Sequence, residues 1–317
     1  MISKKIRKNI IYPVLLFFIL FLLYGCAGLF AKSLVYANRQ PVIKNPGDYG
    51  LKYKNIEFKT PDNITIKGWL IPGSSDSLGV ITHPMNFSKY GYSVKNQGAF
   101  KITDIEVEFI KTAKSLNKEG HTVLMFDLRN HGESDDSKDR IFGLGLNEWQ
   151  DVAGALDYIN NNKSLSNKKI FFVSFCTGAD STIIAMSKVK NKFKNVKCLV
   201  AVQPISMSVF VNNFMRDKYK PLVKMIPSIE KECIKMGGYE WNKMSPEGYV
   251  KDILVPVLYV QAKEDKWTDI EFVKKLYDKS PQPKKILLLE GKMHRFDTYN
   301  YFGEKPDELI NFINKYL

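Results

Sequence analysis

Cysteine is scarce in this sequence, four in 317 residues, which is too few to staple a small disulfide scaffold. No paired Cys/His spacing of the kind that holds zinc occurs either, so neither a metal nor a cofactor is expected. Histidine is equally scarce, and any imidazole chemistry must draw on His83, His121, His131 or His294. There is one long apolar run and no second, which excludes a polytopic membrane protein. Internal repeats and low-complexity linkers are lacking. With 44% apolar and 25% charged residues, the chain is excluded from the disordered and fibrous classes. Its charge is lopsided, 47 Lys+Arg against 33 Asp+Glu, a net +14. The lysines are dispersed, however, and no aromatic-interleaved basic cluster appears. Nucleic acid is therefore not an expected partner, and the surplus reads as a solvated basic surface suited to anionic lipid.

The apolar run is Ile10–Ala31, preceded by Lys4, Lys5, Arg7 and Lys8. As a helix it would be about 33 Å long, close to the hydrocarbon core of a bilayer. It is longer than the apolar region of a cleaved signal peptide. The chain thus divides into a basic cytoplasmic tail (1–9), a transmembrane signal anchor (10–31), a linker (32–50) and a domain (51–317) expected outside the cell membrane. A lipoprotein anchored at Cys26 is the alternative, although Tyr24 is bulky for a lipid-attachment box.

Downstream, short apolar strand-like runs alternate with helical patterns. Strands are expected at 53–59, 64–71, 78–82, 122–126, 169–175, 198–203, 255–261 and 285–289. Helices are expected at 105–116, 147–160 (with Asn147 as N-cap), 177–188, 270–277 and 307–316. Two hairpin-like strands followed by βαβ alternation imply a doubly wound, mostly parallel α/β sheet. The segment 207–250, rich in Met and Lys, is a candidate small cap.

One segment stands out. A β-branched and aromatic strand runs into Ser174-Phe175-Cys176-Thr177-Gly178, and a helix follows at once. This is the layout of a nucleophile elbow, whose sharp turn exposes the central side chain above the sheet. The helix start also brings backbone N–H groups beside Cys176, which favours a thiolate. A buried core cysteine is the plain alternative, and it is the reading for Cys198. His294 follows the last strand, and Asp265 follows the strand before it, so both belong to the sheet edge that carries the elbow. Asp265 would orient His294 as the base, and is favoured over its neighbours Glu264 and Asp269.

From about Tyr53 to Leu317 the chain resembles the α/β-hydrolases, in particular a membrane-anchored bacterial group related to serine aminopeptidase- and esterase-like enzymes. Gly68-Trp69-Leu70-Ile71-Pro72 is similar to the family's early hairpin, and Val80-Ile81-Thr82-His83 to the strand that ends in His-Gly. Asp127-Leu128-Arg129-Asn130-His131-Gly132-Glu133-Ser134 matches its Asp-x-Arg-x-His-Gly-x-Ser segment. Glu148 and Asp151 fall where the family places its next helix. A Cys nucleophile resembles dienelactone hydrolases and polyhydroxyalkanoate synthases. Two departures are Ser174 for the first elbow glycine and Pro84 after His83. The resemblance implies backbone oxyanion donors at Met85 and Thr177. It also implies hydrolysis of a small-molecule ester, thioester or amide through a Cys176–His294–Asp265 triad. Acyl transfer by the same triad, or a catalytically silent binding protein on the same scaffold, are the alternatives.

Overall fold

The computed structural model describes residues 25, 27–96, 103–281 and 283–317. The chain first forms a hairpin of β1 (Lys54–Lys59) and β2 (Thr65–Ile71), then the fully buried strand β3 (Ser77–Thr82). A two-stranded ribbon, β4 (Gly91–Tyr92) with β5 (Val107–Glu108), leads into helix α2 (Phe109–Lys118). Strands β6 (Thr122–Phe126), β7 (Lys169–Phe175), β8 (Val196–Val202), β9 (Val257–Ala262) and β10 (Lys284–Leu289) complete the sheet. Its order is β1-β2-β6-β3-β7-β8-β9-β10, antiparallel across the first two pairings and parallel across all the others.

These strands are continuous apolar runs because helices cover both faces. Between them run α3 (Trp149–Asn161), α4 (Thr177–Lys188) and α7 (Ile270–Lys279), and α8 (Arg295–Glu304) and α9 (Asp307–Tyr316) follow β10. The core accordingly splits into two clusters, one against each face of the sheet. Every expected strand forms, within two residues of its expected ends. The ribbon β4–β5 and helix α8 were not expected. Asn147 is not the cap of α3; its side-chain carbonyl instead accepts the Tyr239 hydroxyl at 2.6 Å.

The segment 207–250 contains α5 (Met207–Lys218) and α6 (Ile226–Lys235), joined by a 3-10 turn. Against them packs a short helix over residues 27–35, α1. Its Ala27, Ala31 and Val35 are buried, the Ala31 carbonyl accepts the Cys233 thiol at 3.8 Å, and Phe30 stacks on Phe214 of α5 at 6.2 Å. The end of the expected membrane span therefore belongs to the folded domain. Most of that span, with Cys26, lies outside the described residues. Among the described residues no helix is long and apolar enough to cross a membrane. Residues 32–50, expected as a linker, make contacts with the domain. Arg39 donates from Nη1 to the carbonyls of His131, Gly132 and Ser134 at 2.6–3.0 Å.

Candidate active site

The turn between β7 and α4 carries Cys176 at φ 49°, ψ −114°, a conformation that L-residues adopt only when their surroundings compel it. The compulsion is local. The Cys176 N–H is held by the Val202 carbonyl at 2.8 Å, and Gly178 lets α4 descend onto β3, where a Cβ would lie 2.4 Å from Thr82 Oγ1. Ser174 fits in place of glycine because its hydroxyl bonds that of Thr182 at 3.0 Å, one turn into α4. Cys176 is nearly buried, at 5% exposure.

The loop after β3 is set by His83. Its Nε2 accepts the Leu128 N–H at 2.9 Å, so Nδ1 carries the proton and donates to the Pro84 carbonyl at 2.7 Å. This contact accommodates the proline and leaves the Met85 N–H facing α4. There it donates to Thr177 Oγ1 at 3.2 Å. The two expected oxyanion donors are thus adjacent, with the threonine hydroxyl occupying one of them. The Thr177 N–H belongs to the first turn of α4, which lacks intrahelical acceptors.

Asp265 lies beyond β9 and His294 beyond β10, as the strand order demands, but the two do not meet as expected. Asp265 Oδ2 accepts Nη1 of Arg295 at 2.8 Å, Nε2 of Gln203 at 3.0 Å and the Thr268 hydroxyl at 2.6 Å. Its Oδ1 accepts the Trp267 N–H at 2.9 Å. No hydrogen bond described for His294 reaches Asp265 or Cys176. Its imidazole caps α8, with Nδ1 3.5 Å from the Phe296 nitrogen, and it contacts the rings of Trp267 and Phe296 at 5.1 and 5.2 Å. Burial lowers its pKa from the ordinary value, against the opposing pull of Asp265 and Asp297, so the ring is held neutral.

Arg295 stands where the imidazole was expected. Its buried guanidinium pairs with Asp265, donates from Nη2 to the Gln203 carbonyl at 3.2 Å, and lies 5.6 Å from the centre of the Tyr299 ring, while Cys176 Sγ lies 3.9 Å from Thr177 Oγ1. Burial works against the guanidinium charge, but Tyr299, Asp265 and Cys176 hold its pKa above the ordinary value. Burial likewise raises the Tyr299 phenol well above its usual range. Gln203, at φ 48°, is a second strained residue in this shell. Sequence reasoning missed Arg295, Tyr299, Gln203 and Thr268. One signal was available: an arginine in the first turn of a helix opposes the helix dipole and needs a specific anion.

The other candidate groups are structural. Asp127 accepts the Lys89 N–H and Nζ at 2.6 Å and the Glu133 N–H at 2.9 Å. Arg129 pairs with Asp62 and Asp151, and Glu148 accepts the Gly143 and Gly145 N–H groups. His131 bonds the Arg129 carbonyl and His121 bonds Ser77. Among the described residues no group of His, Cys, Asp and Glu is arranged to hold a metal.

A family model described as the alpha/beta hydrolase fold matches residues 97–223, a stretch that includes the elbow. A polyketide transferase of Stachybotrys chlorohalonatus is 21% identical over 282 residues, covering 76% of this chain and 89% of that protein. A thiohydrolase of Eupenicillium brefeldianum is 24% identical over 193 residues, covering 60% of this chain and 52% of that protein. Among solved structures, an esterase of Pyrococcus furiosus superposes with a TM-score of 0.66 at 22% identity, covering 90% of this chain and 97% of that one. An alpha/beta hydrolase of Penicillium gives 0.56 at 19% identity, over 84% and 98%. A hairpin-led, mostly parallel sheet of this order, with its strained turn inside the stretch that the family pattern matches, gives the chain the α/β-hydrolase fold.

Proposed function

We propose that this α/β-hydrolase cleaves an acyl substrate through a thioester acyl-enzyme on Cys176. The observation that carries the reading is the strained turn that presents Sγ at the start of α4, beside Met85 and Thr177. Sγ attacks the acyl carbonyl, and the C=O π pair moves onto the oxygen. That oxyanion is held by the Thr177 N–H and by the Met85 N–H, which exchanges Thr177 Oγ1 for it. Collapse expels the leaving group, which receives the proton that His294 took from Sγ at the attack. Water then attacks the thioester, His294 takes its proton, and the Cys176 thiolate departs. Asp265 supports the positive charge that develops on His294. A second outcome, in which another nucleophile replaces water at the thioester, runs through the same acyl-enzyme. Thiohydrolase and polyketide transferase, the names of two similar proteins, are consistent with those two outcomes.

The test is thiol-dependent turnover of p-nitrophenyl acetate and of an acyl thioester by the full chain. Cys176→Ala should abolish both. Cys176→Ala with wild-type turnover would refute covalent catalysis. A rising ratio of transferred to hydrolysed product with added amine or thiol would select the transferase outcome. We further propose that the apolar run from Ile10 up to the start of α1 anchors the protein in the cell membrane with the domain outside, where protease added to intact cells should digest it. A mature chain beginning at a lipid-modified Cys26 would replace that anchor.

A further inference from the structure

We propose that the outer side of α1 and of the 216–235 stretch docks onto an anionic lipid bilayer. This rests on the proposed anchor, because the apolar run passes into α1 without a spacer: Leu29, Phe30 and Ala31 both end the run and belong to the helix. Helix α1 turns Ala27, Ala31 and Val35 inward and leaves Leu29, Lys32 and Ser33 outside. Five large apolar residues are markedly exposed among the described residues, and three of them lie on this part of the fold. They are Leu29 at 69%, Ile234 at 45% and Tyr219 at 38%. Leu29 stands next to Phe30, whose ring meets that of Tyr219 at 6.1 Å. Scattered singly, such residues carry no meaning, but gathered beside cations they mark an interaction surface. Leucine and tyrosine both enter the interface of a bilayer readily.

The charge of this surface names its partner. From Arg216 to Lys235 the chain carries six basic residues against three acidic ones, and the acids are already engaged. Asp217 accepts the Trp267 Nε1–H at 3.1 Å, Glu230 accepts the Trp241 N–H at 2.9 Å, and Glu232 pairs with Lys235 at 2.6 Å. Arg216, Lys220, Lys224 and Lys231 are exposed, and none of the four has an ion-pair partner among the described residues. Each cation held at an anionic bilayer surface strengthens binding by about fivefold. The long lysine stems let the ammonium reach lipid phosphates while the apolar side chains beside them enter the interface. Helix α5 also covers the catalytic edge of the sheet. Its Phe210 and Phe214 meet the Trp267 ring at 5.9 and 5.0 Å, and Trp267 meets His294 at 5.1 Å. A domain docked by this surface therefore holds its catalytic edge toward the lipid.

The experiment places the full chain in lipid nanodiscs of phosphatidylcholine, alone or mixed with phosphatidylglycerol, and modifies its lysines with a membrane-impermeant N-hydroxysuccinimide ester. Mass spectrometry reads Lys220, Lys224 and Lys231 against Lys163, an exposed residue that precedes β7 at the end of the sheet away from Cys176. Modification of the three relative to Lys163 should fall about fivefold or more in the anionic discs, and about 1 M salt should restore it. Lys220→Glu/Lys224→Glu/Lys231→Glu should keep the wild-type melting temperature, since all three side chains are exposed, and should leave Lys32 and Lys218 equally modified in both kinds of disc. Equal modification of wild type in the two lipids, whether high or low, would overturn the proposal while leaving the anchor in place. So would protection of Lys32 and Lys218 by anionic lipid in the triple variant. A chain that enters neither kind of disc ends the anchor and the docking together. A chain held by anionic discs alone, through these lysines, ends the anchor and keeps the docking.

Discussion

Replacing Asp265 with asparagine removes one charge from a pair that has no water to turn to. Asp265 and Arg295 have side chains 2% and 3% exposed, so the guanidinium left behind stays buried and unpaired. Removing one partner of such a pair costs about 3–5 kcal/mol. The near-identical shape of asparagine does not rescue it. Oδ2 accepts three donors, from Arg295, Gln203 and Thr268, and Oδ1 accepts the Trp267 N–H. Whichever way the amide is turned, its NH2 faces at least one other donor, which places the cost toward the upper end of that range. At about 2 °C per kcal/mol for a large domain, the melting temperature should fall by about 6–10 °C. Scanning calorimetry or circular dichroism of Asp265→Asn beside Glu264→Gln, a change at an exposed residue, measures this directly. Asp265→Leu/Arg295→Met should recover part of the loss, because it removes both charges together. An Asp265→Asn protein melting within about 2 °C of wild type would refute the reasoning, since a buried pair cannot lose a charge so cheaply.

Three further outcomes follow from the same contacts. Cys176→Gly should be more stable than Cys176→Ala by about 1 kcal/mol, the reverse of the usual order, because glycine relieves φ 49°; equal melting temperatures would show that the turn is unstrained. Gly132→Ala should cost about 3 kcal/mol or more in a denaturant titration, since its φ is 45° and a Cβ would lie 2.1 Å from the Asp127 carboxyl carbon; a soluble variant with wild-type stability contradicts that. Burial lowers the imidazole pKa of His83 to about 4 and that of His131 to about 3. Both folded values lie below the unfolded one, so their contribution is present above about pH 6.5 and is lost on acidification toward pH 4, by about 1.4 kcal/mol per pH unit for each imidazole. His131→Phe should flatten the acid limb of a plot of melting temperature against pH, and an unchanged slope would count against this assignment.

The sheet was legible because its strands are buried on both faces and so announce themselves as short apolar runs; β7 and α4 have the bounds expected of them. The ribbon β4–β5 was not legible, since two-residue strands leave no periodic trace. Helix α8 escaped for a different reason. It opens on Arg295 and Phe296, both buried, and Thr298, Tyr299 and Phe302 are also buried, so apolar and polar residues mix on its inner face. The site divides in the same way. The turn at Cys176 was read from local grammar, strand then tight turn then helix, and it forms there. Asp265 and His294 were found from their places after neighbouring strands, and both stand at the expected edge. Which of the adjacent residues 294 and 295 turns inward depends on how α8 begins, and His294 stands at its N-cap position. No spacing rule records that choice.

Helix α1 ties the beginning of the described chain to the interior by a short relay of rings. Phe30 touches Phe214 at 6.2 Å, Phe214 touches Trp267 at 5.0 Å, and Trp267 touches His294 at 5.1 Å. A displacement of α1 would therefore reach α5 and the loops that carry Trp267 and His294. A protein shortened to start at residue 45 would lose Phe30 from this relay, the alanine face that covers Cys233, and Arg39 from the carbonyls of the 131–134 loop. Its kinetics would report a domain without these contacts.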